Sequence, residues 1–170
     1  MDDEGVKTKK IKLIENGIFK NIFSNIYDSY KEGENESSGN AIRMGSPMGR
    51  SAEPIPISAP HNLTVIPGNS SQEEMIKDTK NGLVVGRLWY TYAVNPIKGD
   101  FSCTARSGVR IIKNGKIVGP GKSVRIIHNL PNLLKNISDI GNDQRRVMQW
   151  ASLPSITPSI KVENISVNSI

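Results

Sequence analysis

Residues 99–120 read GDFSCTARSGVRIIKNGKIVGP, and the second half of this stretch carries a β-hairpin signal. Asn114-Gly115 suits a two-residue type I′ turn, in which both central residues take positive φ. Val109, Ile111 and Lys113 alternate with Arg110 and Ile112 before the turn, and Ile117 and Val118 follow it. Gly119-Pro120-Gly121 is expected to end the second arm, because proline has no N–H to give to a ladder. The stretch therefore reads as two strands closed by a tight turn. It holds no evident nucleophile, general base or metal-ligand set, so its physics indicates a β-rich scaffold.

Composition bounds the rest. The chain has 170 residues, 36% hydrophobic, with a mean hydropathy of −0.35. That is enough for one domain with a real core. No apolar run reaches the roughly 18 residues of a membrane-spanning helix. MDDEGVKTKK has no apolar segment of the signal-peptide kind, so a cytoplasmic location is expected. Cys103 is the single cysteine, which excludes an intrachain disulfide and a cysteine-rich zinc finger. The net charge is +6. Its densest groups are Lys7, Lys9, Lys10 and Lys12, and Arg145-Arg146. Few aromatics neighbour these charges in sequence, so they read as a solvated face rather than a stacking platform for nucleic acid.

Outward from the central stretch, Thr8–Ile14 alternates as a strand, Asn16-Gly17 marks another hairpin turn, and Ile18, Phe19, Ile22 and Phe23 continue the return arm. Ser24–Glu32 has the spacing of a short helix. Gly39–Pro60 reads as a long loop, and His61–Ile66 as a strand. Ser71 and Glu74 form a capping box, opening a helix expected to run to Lys80 and stop at Asn81-Gly82. Leu83–Val94 reads as one long strand whose Trp89, Tyr90 and Tyr92 are expected to fill a core. Val124–Ile127 is a strand. Leu130–Ile137 is a short amphipathic helix with Pro131 in its first turn, ended by Gly141-Asn142-Asp143. Gln144–Thr157 reads as irregular and Ser159–Val167 as a closing strand. The expected fold class is α+β and mainly antiparallel, a β-rich curved sheet or barrel-like domain with two short helices.

The chemical inventory is thin. His61 and His128 are isolated, and no H-E-x-x-H or H-E-x-x-x-H pattern sets two histidines on one helical face. Convergence of His61, His128 and Cys103 on a metal has no support from local spacing. Cys103 on a strand reads as a small buried hydrophobe rather than a nucleophile. Asp2, Asp3 and Glu4 are adjacent and read as solvated charge. No catalytic, cofactor-binding or metal-ligating residue is assigned.

Several segments together resemble one known family. DDEGVKTKKIKLIENGIFKNIFSN at 2–25, Tyr30 with Ser38-Gly39-Asn40-Ala41-x-Arg43, Asn62–Gly68 with SSQEEMIKDTKNGLVV, NPIKGDFSCTARSGVRIIKNGKIVGP, and Gly141-Asn142-Asp143 followed by TPSIKVENISV stand in order along nearly the whole chain. In that order they resemble the C-terminal domain of the TldD/PmbA (TldE) family. The resemblance implies a cytoplasmic zinc-dependent peptidase system acting on unfolded peptides. In it a TldD-type subunit carries an HExxxH motif upstream of this domain and a cysteine ligand near its C-terminus, and a PmbA/TldE-type partner lacks those ligands. The family has also been called a modulator of DNA gyrase. This sequence contains no HExxxH and no cysteine between Gln144 and Pro158, so Cys103 is not matched to the family's ligand. The resemblance thus implies residues 1–170 as a C-terminal domain of the non-catalytic type, inactive alone. It would hold no zinc itself and would pair with a related subunit as a homo- or heterodimer. Unfolded peptide would be the substrate of the full assembly, with no membrane partner. The rival reading is a nucleic-acid or DNA-gyrase-associated binding module.

Overall fold

The computed structural model describes residues 1–44, 51–148 and 154–170. They fall into two compact units, Met1–Val65 with Arg145–Thr157, and Ile66–Gln144 with Pro158–Ile170. The fold class is α+β and mainly antiparallel. Among the described residues the strands form separate sheets of two to four strands, with no closed barrel, and there are three short helices.

In the first unit, strands β1 (Ile14–Glu15) and β2 (Ile18–Phe19) form the expected hairpin. Asn16 (φ 52°) and Gly17 (φ 75°) take the two positive-φ positions. The ladder is shorter than the alternation from Thr8 suggests. Ile14, Ile18, Phe19 and Ile22 are all exposed, so no apolar layer holds longer arms together. Helix α1 (Ile26–Lys31) follows, capped by Asn25, whose side chain accepts from the Asp28 N–H. The Gly39–Pro60 segment contains a two-residue ladder of β3 (Ala41–Ile42) with β4 (Ile57–Ser58); residues 45–50 of it lie outside the description. Of His61–Ile66 only β5 (Leu63–Thr64) is strand. It pairs in parallel with Pro154–Thr157, which in turn pairs antiparallel with Arg145–Met148. The Gln144–Thr157 segment, read as irregular, is thus partly a two-stranded ladder, with residues 149–153 outside the description.

The second unit opens on helix α2 (Gln72–Lys77), with the expected capping box. The Glu74 N–H donates to Ser71 Oγ, and Glu74 Oε2 accepts from the Ser71 N–H. The helix ends at Lys77, and Asn81-Gly82 does not cap it. Those residues begin β6 (Asn81–Val84), which pairs with β9 (Arg110–Lys113). Edge pairing claims them before a cap can form. The segment read as one strand, Leu83–Val94, is divided: β6 ends at Val84, and β7 (Arg87–Asn95) belongs to another sheet. The central stretch divides in the same way, into β8 (Asp100–Ser107) and the hairpin of β9 with β10 (Lys116–Pro120). Both breaks fall where Gly86 and Gly108 meet. A Cβ on Gly108 would lie 3.1 Å from the Gly86 Cα, and Gly108 has φ +64°. The two segments change sheets at this close approach with neither residue carrying a side chain into it.

The Asn114-Gly115 turn has φ 47° and 75°, as the type I′ reading requires. Strand β10 runs through Gly119 to Pro120, with a register shift after Ile117. Proline is tolerated because β10 is the sheet's edge. Strand β11 (Val124–Asn129) pairs with β8. Helix α3 (Leu130–Lys135) is capped by Asn129 and has proline in its first turn. It stops before Ile137, which begins β12 (Ile137–Ile140). Ser159–Val167 divides into β15 (Ile160–Val162), paired with β12, and β16 (Val167–Ser169), paired with β11. Numbering along the chain makes Arg145–Met148 β13 and Pro154–Thr157 β14. The larger sheet has the order β16-β11-β8-β7. Its inner face carries the buried Cys103 and Ala105, and Met75, Val109 and Ile112 are buried elsewhere in this unit.

Candidate functional site

Of the acidic opening, Asp3 and Glu4 are partly exposed, but Asp2 is not solvated. Asp2 is only 6% exposed. Its Oδ1 accepts from the N–H of Glu4 (3.0 Å) and Val6 (2.8 Å), and its Oδ2 from the N–H of Ala41 (3.0 Å). Burial alone would raise this carboxyl's pKa. The backbone donors, with a smaller electrostatic aid from His61, hold it below its ordinary value. Asp3 Oδ2 accepts from the Arg43 N–H at 2.7 Å, and Glu4 Oε2 from the Ile26 N–H at 2.8 Å at the start of α1. Each of the three carboxylates therefore binds backbone donors from elsewhere in its unit. Arg43 Nη1 reaches the carbonyls of Ala52 (3.1 Å) and Pro54 (2.8 Å), beside a shallow depression lined by Asp3, Arg43, Ser51 and Ala52. This cluster is a clasp for loops. Sequence reasoning missed it because nothing in adjacent acids reveals which amides they will meet.

Asp143, of the Gly141-Asn142-Asp143 segment, plays a similar part in the second unit. Its Oδ1 accepts from the Ser159 N–H (2.8 Å) and its Oδ2 from the Ser159 hydroxyl (2.7 Å). Gly141 N–H donates to the Ser159 carbonyl at 2.8 Å, and Asn142 N–H to that of Ser70, also at 2.8 Å. The two ends of the interval expected to carry the family's cysteine ligand are thus tied to each other.

His61 lies in the first unit, just before β5. His128 and Cys103 lie in the second, on adjacent strands. Cys103 is opposite Ile126 in register, and His128 is opposite Phe101, with which it makes an edge-on ring contact at 6.5 Å. Cys103 is 1% exposed, and burial pushes its thiol pKa up, the opposite of what a nucleophile or a thiolate ligand needs. Among the described residues no three His, Cys, Asp or Glu side chains converge as a metal site. A zinc centre takes three or four such ligands, so these residues do not fit that ion.

The aromatics of β7 are the clearest departure from expectation. Trp89 is half-buried, while Tyr90 (63%) and Tyr92 (51%) are exposed. Each meets an arginine. The Arg87 guanidinium lies 4.1 Å from the Trp89 ring centroid, and that of Arg106 5.7 Å from the Tyr90 ring. Tyr92 Oη accepts from Arg125 Nη2 at 3.2 Å. Tyr90 has φ 51° at an irregularity in the β7–β8 ladder between Trp89 and Tyr92. The extra residue turns the ring outward, which alternation alone does not reveal.

Among the described residues no helix is long and apolar enough to cross a membrane.

Comparison with known proteins gives a consistent picture. Residues 1–169 match the family described as the PmbA/TldA metallopeptidase C-terminal domain. A metalloprotease of Methanothermobacter thermautotrophicus is 33% identical over 144 residues, covering 85% of this chain and 30% of that protein. A zinc metalloprotease TldD homolog of Saccharolobus solfataricus is 29% identical over 148 residues, covering 84% and 30%. The crystal structure of TldE from Thermococcus kodakarensis superposes with a TM-score of 0.79 at 30% identity, covering 98% of this chain and 35% of that one. The chain spans about one third of the length of these relatives. Its ordered motifs, its fold and these matches show that it belongs to the PmbA/TldA metallopeptidase C-terminal domain family.

Proposed function

We propose that this chain is the C-terminal domain of a non-catalytic, PmbA/TldE-type subunit in a zinc-dependent peptidase system, with a scaffolding and subunit-pairing role. The observation that carries the reading is the interval between Gly141-Asn142-Asp143 and Pro158-Ser159-Ile160. It contains no cysteine, and Asp143 ties its ends together through Ser159. The sole thiol, on β8, is buried and protonated at neutral pH. Activation of water by zinc needs several protein ligands and an open coordination position, and this set of side chains supplies neither. A role in assembly agrees with the large apolar side chains left at the surface, including Ile97 (98% exposed), Ile55 (85%) and Phe19 (65%).

Co-expression with an HExxxH-bearing family subunit tests this. The expected result is a stoichiometric complex whose chelator-sensitive peptide cleavage depends on the HExxxH glutamate of the other subunit. Cleavage that survives loss of that glutamate would overturn the reading, as would failure of the two chains to associate.

A further inference from the structure

The outer face of the β16-β11-β8-β7 sheet has a one-sided charge. The four strands contain three arginines, Arg87, Arg106 and Arg125, and a single carboxylate, Asp100. Asp100 sits at the far end of β8, where its Oδ1 accepts from Asn129 Nδ2 at 2.9 Å. Among the described residues no ion pair involves any of the three arginines. Register places Trp89 opposite Thr104, Tyr92 opposite Ser102, and Arg125 opposite Thr104. The guanidiniums are therefore contributed by three adjacent strands, on the side of the sheet that carries the half-buried Thr104 and the buried Ser102. Each is held by an aromatic partner rather than by a counter-ion.

We infer that this face receives an acidic, extended polypeptide segment, its carboxylates seated on Arg87, Arg106 and Arg125. Three arguments converge. Arg87, stacked on Trp89, keeps its N–H edge for bidentate contact with a carboxylate, while Arg106 and Arg125 each give one N–H to a tyrosine hydroxyl (3.4 and 3.2 Å) and keep the others, so each guanidinium is held in place and gives up less freedom on binding. Adjacent strands stand about 4.8 Å apart, which sets Arg125 and Arg87 about 10 Å apart across the sheet, and the register (Arg125 opposite Thr104, Arg87 opposite Ser107) adds about 10 Å along it; the diagonal of about 14 Å equals two steps of the roughly 7 Å repeat of alternate side chains in an extended peptide. Finally, the aromatic rings are engaged by arginines, Trp89 most closely at 4.1 Å, and so are not free stacking platforms for bases. Recognition runs through side chains. Strand β7 is an edge, but its register shifts at Arg87/Leu88, Trp89/Tyr92 and Ala93/Asn95 interrupt the ladder a further strand would need. The inference rests on the reading of the chain as part of a peptidase system for its choice of peptide as occupant.

The test is fluorescence anisotropy on the 170-residue chain at low salt, with three labelled probes: a peptide of alternating Glu and Ser, its Gln-for-Glu counterpart, and an oligothymidylate of matched length. The Glu peptide is expected to bind best, and the Gln peptide about tenfold more weakly. Arg87→Gln, Arg106→Gln and Arg125→Gln are each expected to weaken Glu-peptide binding about two- to fivefold and to flatten its salt dependence. The triple variant Lys7→Gln/Lys9→Gln/Lys10→Gln removes three charges from the other unit, against one in each arginine variant, and is expected to leave binding unchanged, which separates the site from net charge. Equal binding of the Glu and Gln peptides would overturn the inference. So would tighter binding of oligothymidylate lost in the same arginine variants, which would make the face a nucleic-acid site. The assay needs no second subunit, so Glu-peptide binding by a chain that fails to pair would refute the pairing role and leave this inference standing.

Discussion

Removing the Asp2 carboxylate should cost this chain more stability than any single surface substitution. In Asp2→Ala the amides of Glu4, Val6 and Ala41 lose an acceptor that now lies at 2.8–3.0 Å. A hydrogen bond to a charged group contributes about 1.5–3 kcal/mol, and a buried donor left without a partner costs about 1–3 kcal/mol. The three bonds share one carboxylate, so they do not add in full, and water can reach the Gly5 turn once the clasp opens. The expected loss is about 3 kcal/mol, near the upper end of ordinary single substitutions. For a chain of this size that corresponds to a fall in Tm of roughly 6–12 °C. The pH dependence has a definite sign. The folded-state pKa of Asp2 lies below its unfolded value, so its contribution is fully present above the ordinary aspartate pKa of about 3.9. It is lost as pH falls through the lowered folded value. Urea unfolding of wild type and Asp2→Ala at pH 7 and at low pH reads both effects, and hydrogen exchange at the Ala41 amide reports the local one. A loss below about 0.5 kcal/mol, the size of an unremarkable surface change, would refute the argument, as would a difference between the two proteins that does not shrink in acid.

Three further outcomes follow from the same geometry. Ser71→Ala, which removes the capping box of α2, should cost about 1 kcal/mol, with faster amide exchange confined to the first turn of that helix. Gly108→Ala must hold φ +64° and bring its methyl group to 3.1 Å from the Gly86 Cα; a left-handed backbone alone costs an L-residue about 1–2 kcal/mol, so at least that loss is expected in urea unfolding. Cys103 should react slowly with Ellman's reagent at pH 8 in the native chain and rapidly in denaturant, because burial both covers the thiol and raises its pKa.

The sequence carried the local devices well and the long-range ones poorly. Asn16-Gly17, Asn114-Gly115, the Ser71–Glu74 box and Pro131 each act within a few residues, and all four take their expected places. The sheet switches at Gly86 and Gly108 did not show. An apolar run such as Leu83–Val94 has the same period whether it serves one sheet or two. Local spacing extends α2 and α3 past their observed ends, because pairing with β9 and β15 claims Asn81 and Ile137, and partners so distant in sequence leave no local mark. Trp89, Tyr90 and Tyr92 were expected inside, yet the β7 bulge and the arginines of β8 and β11 hold the two tyrosines at the surface. Asp2 was expected outside, yet it is buried on amides as far away as Ala41. The family, by contrast, was legible because its evidence is the order of many weak motifs, which survives uncertainty about any one element.

The central claim is that this chain supplies structure rather than zinc chemistry, and elemental analysis of the purified 170-residue chain tests it most directly. After dialysis against a zinc-buffered solution the account expects no stoichiometric zinc, and no more metal in wild type than in a variant lacking His61, His128 and Cys103. One zinc per chain, lost in that variant and accompanied by chelator-sensitive peptide cleavage, would contradict it.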